Sequence, residues 1–364
     1  MFLRYFSAVL LRAVLPQEFG GRQPDKFLDD VIVQPASWAP LTAFAAALFA
    51  VWWLARGTLS TLALDHPTPR SLHEAPVPRT GGLGLHAGAQ LALGVIAPNL
   101  PAALWIAFIV LLLVSFLDDL REIPAHWRLA AHLAACGLFV AAVLPGEYGI
   151  LPTAVATLAI AWIANLYNFM DGSDGLAGGM ALIGFSIYGA AAWLAGSTEF
   201  ALVNFSIAAA AAAFLIFNFH PARIFLGDAG AVPLGFLAAA LGVIGWLQSD
   251  WTWWFPVLVF FPFIVDASVT LARRLMRREK VWQAHRDHYY QRLVQLGWGH
   301  GKTAIAEYAL MLASGLLALA ALALPAELQA ALLAVAAAAY LAMIALIERA
   351  WRQHGANAEM GNRE

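Results

Sequence analysis

The stretch PAALWIAFIVLLLVSFLDD, residues 101–119, runs seventeen residues without a charge and then places two aspartates side by side. A helix that crosses the roughly 30 Å hydrocarbon layer needs about 17–25 apolar residues. The run shows no polar–apolar alternation, so it reads as a helix and not as a barrel strand. Working outward, ten further runs have the same character. The predicted spans are about 38–56, 81–98, 101–117, 128–145, 150–167, 175–195, 200–218, 229–247, 253–271, 303–323 and 327–347. The expected fold is therefore all-α, a polytopic integral membrane protein of about 11 transmembrane helices.

Composition agrees. The 364 residues are 61% apolar and 12% charged, about half the charge usual in a soluble domain, and the mean hydropathy is +0.70. A net charge of −2 gives no reason to expect a nucleic-acid partner. The single cysteine, Cys136, excludes an internal disulfide and a cysteine metal cluster.

The charges orient the spans. With the turn after the first span in the cytoplasm, the cytoplasmic segments collect Arg56, Arg70, Arg79, Arg121, Arg128, Arg223, the run Arg273 to Lys280, Arg286, Arg292, Lys302, Arg349 and Arg352. The opposite turns, near 99, 146, 196, 250 and 325, hold no lysine or arginine and carry Glu147, Glu199, Asp250 and Glu327. This is the positive-inside pattern. Trp246, Trp251, Trp253 and Trp254 flank one outer turn, where an interfacial aromatic belt is expected. Residues 1–37 break the charge pattern and form an extension of unknown role. Residues 38–350 form one transmembrane domain, and 351–364 a cytoplasmic tail.

The cytoplasmic turns carry the chemistry. Asp118 and Asp119 end the third span. Asn165, Asn168, Asp171 and Asp174 end the fifth beside Gly172 and Gly175, which break the helix. Asp228 opens the eighth span after Gly227, either as a ligand or as a cap. Asp266 lies inside the ninth, as a functional acid or as a packing hydrogen bond. The first loop, 65–84, brings Arg70, His73 and Arg79 to a glycine-rich helix start that suits an anion, or is simply a basic connector. The last loop holds His285, Arg286, His288 and Gln291, a mixture that suits a sugar–phosphate ligand. Clustered acids at one membrane face demand a neutralising cation. Hard carboxylates without cysteine favour Mg2+ or Mn2+ over zinc, and magnesium is commonly completed by substrate phosphates. Phosphoryl-group chemistry at the cytoplasmic face follows. A Walker-type ATP loop is absent.

The segments Asp65–Gly82, Phe-Leu-Asp118-Asp119, Asn168-Phe-Met-Asp171-Gly-Ser-Asp174-Gly-Leu-Ala, Phe225-Leu-Gly227-Asp228-Ala-Gly230 and the histidine-bearing last loop resemble those of the polyprenyl-phosphate N-acetylhexosamine-1-phosphate transferases, glycosyltransferase family 4. The resemblance covers about residues 40–345. It implies that undecaprenyl phosphate attacks the β-phosphate of a UDP-N-acetylhexosamine to give a lipid-linked sugar diphosphate and UMP, in the cytoplasmic membrane of a bacterium. It also implies roles. Asp118 matches the residue that deprotonates the lipid phosphate, Asp228 the magnesium ligand with Asp119 nearby, and His288 the first histidine of the last-loop motif. Asn168, Asp171 and Asp174 match the nucleotide-sugar segment. With Arg70, Arg79, His285, Arg286 and Gln291 they complete the expected substrate-binding set.

The later histidines of that motif are replaced here by Tyr290 and Gln291. This form is similar to the branch that starts O-antigen with N-acetylfucosamine or N-acetylquinovosamine, so Tyr290 and Gln291 are expected to read the sugar. A member specific for UDP-N-acetylglucosamine is the alternative. A cation-coupled transporter is a further one, although its site belongs at the membrane midplane. Membrane lipid and a second copy of the chain complete the expected partners.

Overall fold

The computed structural model describes residues 35–57, 63–65, 76–121, 123–144, 146–280 and 285–361. Most of the extension 1–37, together with Arg70 and His73, lies outside the described residues. The chain is a bundle of helices: α1 Ala39–Arg56, α2 Gly81–Ile96, α3 Ala102–Arg121, α4 Ala125–Val143, α5 Ile150–Phe169, α6 Leu176–Leu194, α7 Thr198–Asn218, α8 Asp228–Leu247, α9 Phe255–Val259, α10 Phe261–Met276, α11 Tyr289–Leu293, α12 Gly299–Leu322 and α13 Ala326–Gly361. The described strands are β1, Leu64–Asp65, and β2, Val77–Pro78, an antiparallel pair with Leu64 opposite Pro78. Helices dominate because lipid offers backbone N–H and C=O groups no partner, so each segment must satisfy its own.

Among the described residues, nine helices are long and apolar enough to cross a membrane, and the protein is a multi-pass membrane protein. The other two expected spans take different forms. The second is the shorter helix α2, sixteen residues long. The ninth is broken at Phe260 into α9 and α10. Pro262 explains the break, because it cannot donate to the carbonyl of Leu258 and its ring crowds that oxygen. The Ser314 hydroxyl of α12 donates to the Leu258 carbonyl instead, at 2.6 Å. The tail boundary expected at 350 falls inside α13, which continues to Gly361.

Helix α8 is the axis of the bundle. It packs on α5, α3 and α2 and buries most of its length. Helices α1, α2 and α7 form a second layer beside it. With no hydrophobic drive between helices in lipid, close approach of small residues holds such layers together. At Gly88 of α2, a Cβ would come within 2.5 Å of the Ala47 nitrogen of α1. The expected tryptophan belt is only partly present. Trp253 is exposed, but Trp251 and Trp254 are buried. The Trp251 ring packs 4.9 Å from Tyr188, and its indole N–H donates to the Gly242 carbonyl. The broken ninth span folds this turn back onto the bundle.

Candidate active site

Where α3 and α5 end and α2, α6 and α8 begin, the helix ends surround a cleft of about 930 Å³. One flank is apolar, with Leu129, Leu133, Leu158, Trp162 and Val232. The rest carries charge: Asp65, Arg79, Asp118, Arg128, Asp171, Asp174 and Asp228, with His285, His288 and His300. Residues as far apart in sequence as Asp65 and His300 thus share one cavity.

The start of α8 fixes the first cluster. The segment before it pairs with the first loop, as Phe225 N–H donates to the Pro78 carbonyl at 2.7 Å. Gly81 and Gly82 N–H donate to the carbonyls of Phe225 and Leu226, both at 2.9 Å. Gly227 then turns the chain with φ 73° and ψ 169°, a region essentially restricted to glycine, and a Cβ there would collide with the Arg79 carbonyl. Asp119 meets the freed N–H groups. Its two carboxylate oxygens accept from Asp228 N–H at 3.2 Å and Ala229 N–H at 2.9 Å. An anion is favoured at a helix N-terminus. Asp119 is buried, lies 3.8 Å from Arg79 Nε and does not line the cleft. Expected beside the magnesium ligand, it stands behind Asp228, with a backbone N–H on each of its oxygens.

Asp118 and Asp228 do face the cleft, and Arg128 of α4 lies between them. Arg128 Nη1 pairs with Asp118 Oδ2 and lies 3.3 Å from Asp228 Oδ2. The Ile123 N–H donates to Asp118 at 2.6 Å. In the sequence Arg128 is one cytoplasmic charge among many. Its i+10 spacing from Asp118 carries no local signal, since the turn between α3 and α4 makes the contact. One helical turn deeper, His132 is held by Asn165 at 3.2 Å.

The α5–α6 turn forms the second cluster. The Gly175 N–H donates to Asn218 Oδ1 at 3.0 Å, and the Asn218 amide donates to the Ile224 carbonyl at 2.9 Å. Asp174 is engaged, accepting from Ala222 N–H at 3.1 Å and facing His220 Nδ1 at 2.7 Å. His220 stacks on His300, whose Nδ1 lies 2.9 Å from Ser173 Oγ. Asn168 and Asp171 line the cleft, and among the described residues no side-chain hydrogen bond engages Asp171. Burial pushes its carboxyl well above the ordinary carboxylate range, and the negative charges of Asp228, Asp119, Asp65 and Asp174 push it further. Such a crowd of acids marks a functional site.

The last loop supplies the third wall. Asp266 of α10 is buried and accepts from the N–H groups of Tyr289 at 2.9 Å and Tyr290 at 3.0 Å and from the Thr270 hydroxyl at 3.2 Å. It also lies 3.2 Å from His288 Nδ1. It therefore organises the start of α11, and with Nδ1 donating to it the His288 Nε2 is left for other partners. His285 packs beside His288, the ring centres 4.8 Å apart. Gln291 lines the cleft and accepts from the His288 N–H at 3.3 Å. Tyr290 lines the cleft although almost none of its surface is exposed, and its hydroxyl donates to the Phe169 carbonyl at 3.1 Å, which props the α5–α6 turn. One expectation changes. Arg286 is exposed and does not line the cleft, because the loop turns it outward.

Among the described residues, no three His, Cys, Asp or Glu side chains form a group able to hold a metal by themselves. Asp228 and Asp171 offer hard oxygens to the same cavity, the one or two carboxylates that magnesium takes beside substrate phosphates and water.

Residues 101–246 match the model of glycosyl transferase family 4. A probable undecaprenyl-phosphate N-acetylglucosaminyl 1-phosphate transferase of Bacillus subtilis is 26% identical over 263 residues, covering 68% of this chain and 74% of that protein. A decaprenyl-phosphate N-acetylglucosaminephosphotransferase of Mycolicibacterium smegmatis is 27% identical over 319 residues, covering 74% and 77%. An undecaprenyl-phosphate alpha-N-acetylglucosaminyl 1-phosphate transferase of Escherichia coli K12 is 26% identical over 265 residues, covering 65% and 70%.

Proposed function

Since the chain belongs to glycosyl transferase family 4, we propose that it transfers an N-acetylhexosamine-1-phosphate from a UDP-sugar to undecaprenyl phosphate in the bacterial cytoplasmic membrane. An oxygen of the lipid phosphate attacks the β-phosphorus, a P–O bond forms, and the bond to the bridging oxygen breaks as UMP leaves. The observation that carries this reading is the single cleft shared by Asp118, Asp171, Asp228 and Arg128. Its apolar flank suits a lipid acceptor, and its charged remainder suits a diphosphate.

Roles follow from position. Arg128, shared by two carboxylates, can turn to the acceptor phosphate and free Asp118 to take its proton. Asp228 and Asp171 would hold magnesium, with Asp119 aiming Asp228. A magnesium ion held by these residues would supply neutralising charge to the diphosphate and to the leaving UMP. His288, oriented by Asp266, faces the donor together with His285 and Gln291. In phosphoryl transfer, positioning and charge neutralisation supply most of the rate.

The relatives are named for N-acetylglucosamine, whereas the His285–Gln291 sequence points to N-acetylfucosamine or N-acetylquinovosamine at the start of O-antigen synthesis. Purified protein given undecaprenyl phosphate and a panel of UDP-N-acetylhexosamines decides between them by UMP release. Activity lost with a chelator and restored by Mg2+ supports the cation. Release of no UMP from any sugar overturns the transferase reading.

A further inference from the structure

The last helix, α13, contributes one buried acid to the region of the cleft although it lines none of it. Glu348 Oε1 lies 2.5 Å from Arg273 Nη1, pairs with Arg292 Nη1, and accepts from the Tyr289 hydroxyl at 3.5 Å. Glu348 Oε2 lies 3.7 Å from Arg352. The Arg273 guanidinium also donates to the Tyr289 hydroxyl at 2.6 Å. The Arg292 guanidinium is sandwiched between the Tyr289 ring, 5.2 Å away, and the Trp351 ring, 5.6 Å away. Glu348 and Arg292 are both buried. One carboxylate thus ties together α10, α11 and α13.

Its position gives this network a purpose. Tyr289 and Arg292 belong to α11, the short helix that His288 caps and whose first N–H groups Asp266 accepts. Its five residues run on into a π-helical turn, Val294–Trp298, where Gly297 at φ 94° interrupts the path to α12, so the start of α11 depends on external anchors. Asp266 grips its first N–H groups, and Glu348 grips two of its side chains. Removing one partner of a buried, multiply bonded ion pair leaves the others charged and unpaired.

We infer that Glu348 is a positioning residue, which clamps α11 from the last helix and so holds His288 at the cleft. The kinetic part of this inference rests on the transferase reading; the structural part does not. The test uses the full chain in membranes or detergent, with Glu348→Gln, Glu348→Asp and Trp351→Ala. Glu327→Gln, on the exposed first turn of the same helix, is the control. Hydrogen exchange of residues 285–298 is expected to speed up in Glu348→Gln, while the α5–α6 turn stays as in the parent. With UDP-N-acetylglucosamine and undecaprenyl phosphate, kcat is expected to fall about tenfold or more, and the acceptor KM to stay unchanged. In a His288→Asn background the same substitution is expected to add little, as for groups acting as one unit. Glu348→Asp, which keeps the charge, is expected to recover part of kcat.

Unchanged exchange at 285–298 overturns the clamp whatever the activity. So does a kcat loss fully additive with His288→Asn. If Glu348→Gln does not insert, Trp351→Ala carries the same measurements. A wild-type protein that releases no UMP counts against the transferase reading alone, and the exchange result then decides the clamp.

Discussion

Single side chains in this protein divide into those that face the cleft and those that aim them. Asp118 and Asp228 face it, so Asp118→Asn and Asp228→Asn are each expected to cut UMP release by on the order of 10²-fold or more while the protein still inserts. An assay of washed membranes with matched protein amounts checks both. Gly227 aims Asp228, and its backbone angles admit no side chain. Gly227→Ala is expected to cost roughly 1–3 kcal/mol from backbone strain alone, read as a lower melting temperature in detergent, with activity lost as well. The acids at helix ends were legible in the sequence because charge next to a long apolar run stands out. The division of labour between Asp118 and Asp119 was not. It is set by N–H groups 109 and 110 positions away, and nothing local announces them. The same holds for Arg128, whose two carboxylate partners sit on other helices, and for Tyr290, whose partner is a carbonyl 121 residues distant.

Helices were the most legible level of all, because each must satisfy its own backbone in lipid and so leaves a long apolar signature. Every expected span has a helix or a helix pair at its place, although α13 runs on well past its predicted end, to Gly361. What the signature could not give was the break at Phe260. Pro256 and Pro262 stand in plain view within that run, but membrane helices often tolerate proline when a neighbour re-satisfies the freed carbonyl. Here Ser314 does so. Ser314→Ala is therefore expected to destabilise the junction of α9, α10 and α12 by about 0.6–2 kcal/mol, measured by reversible unfolding in mixed micelles. An unaltered stability would mean that the Leu258 carbonyl finds another donor.

For the molecule as a whole, the charge asymmetry between alternate turns makes a topological statement that is independent of any chemistry. Cys136 is buried, so a membrane-impermeant thiol reagent should ignore the parent protein. Glu199→Cys should react on intact spheroplasts, whereas Arg277→Cys, at an exposed position, should react only after lysis. Labelling in the reverse order would invert the protein and place the cleft on the wrong side for a nucleotide sugar. The backbone bonds that join Pro78, Gly81 and Gly82 to Phe225 and Leu226 carry a last consequence. A shortened gene beginning at codon 101 would still encode Asp118, Asp171 and Asp228, yet its product would leave the peptide groups ahead of α8 without their partners and α7 without its companions α1 and α2. Such a fragment should be inert when expressed by itself and regain turnover when residues 1–100 are supplied as a separate polypeptide, a complementation that would show the two halves to be assembled by main-chain pairing across the gap.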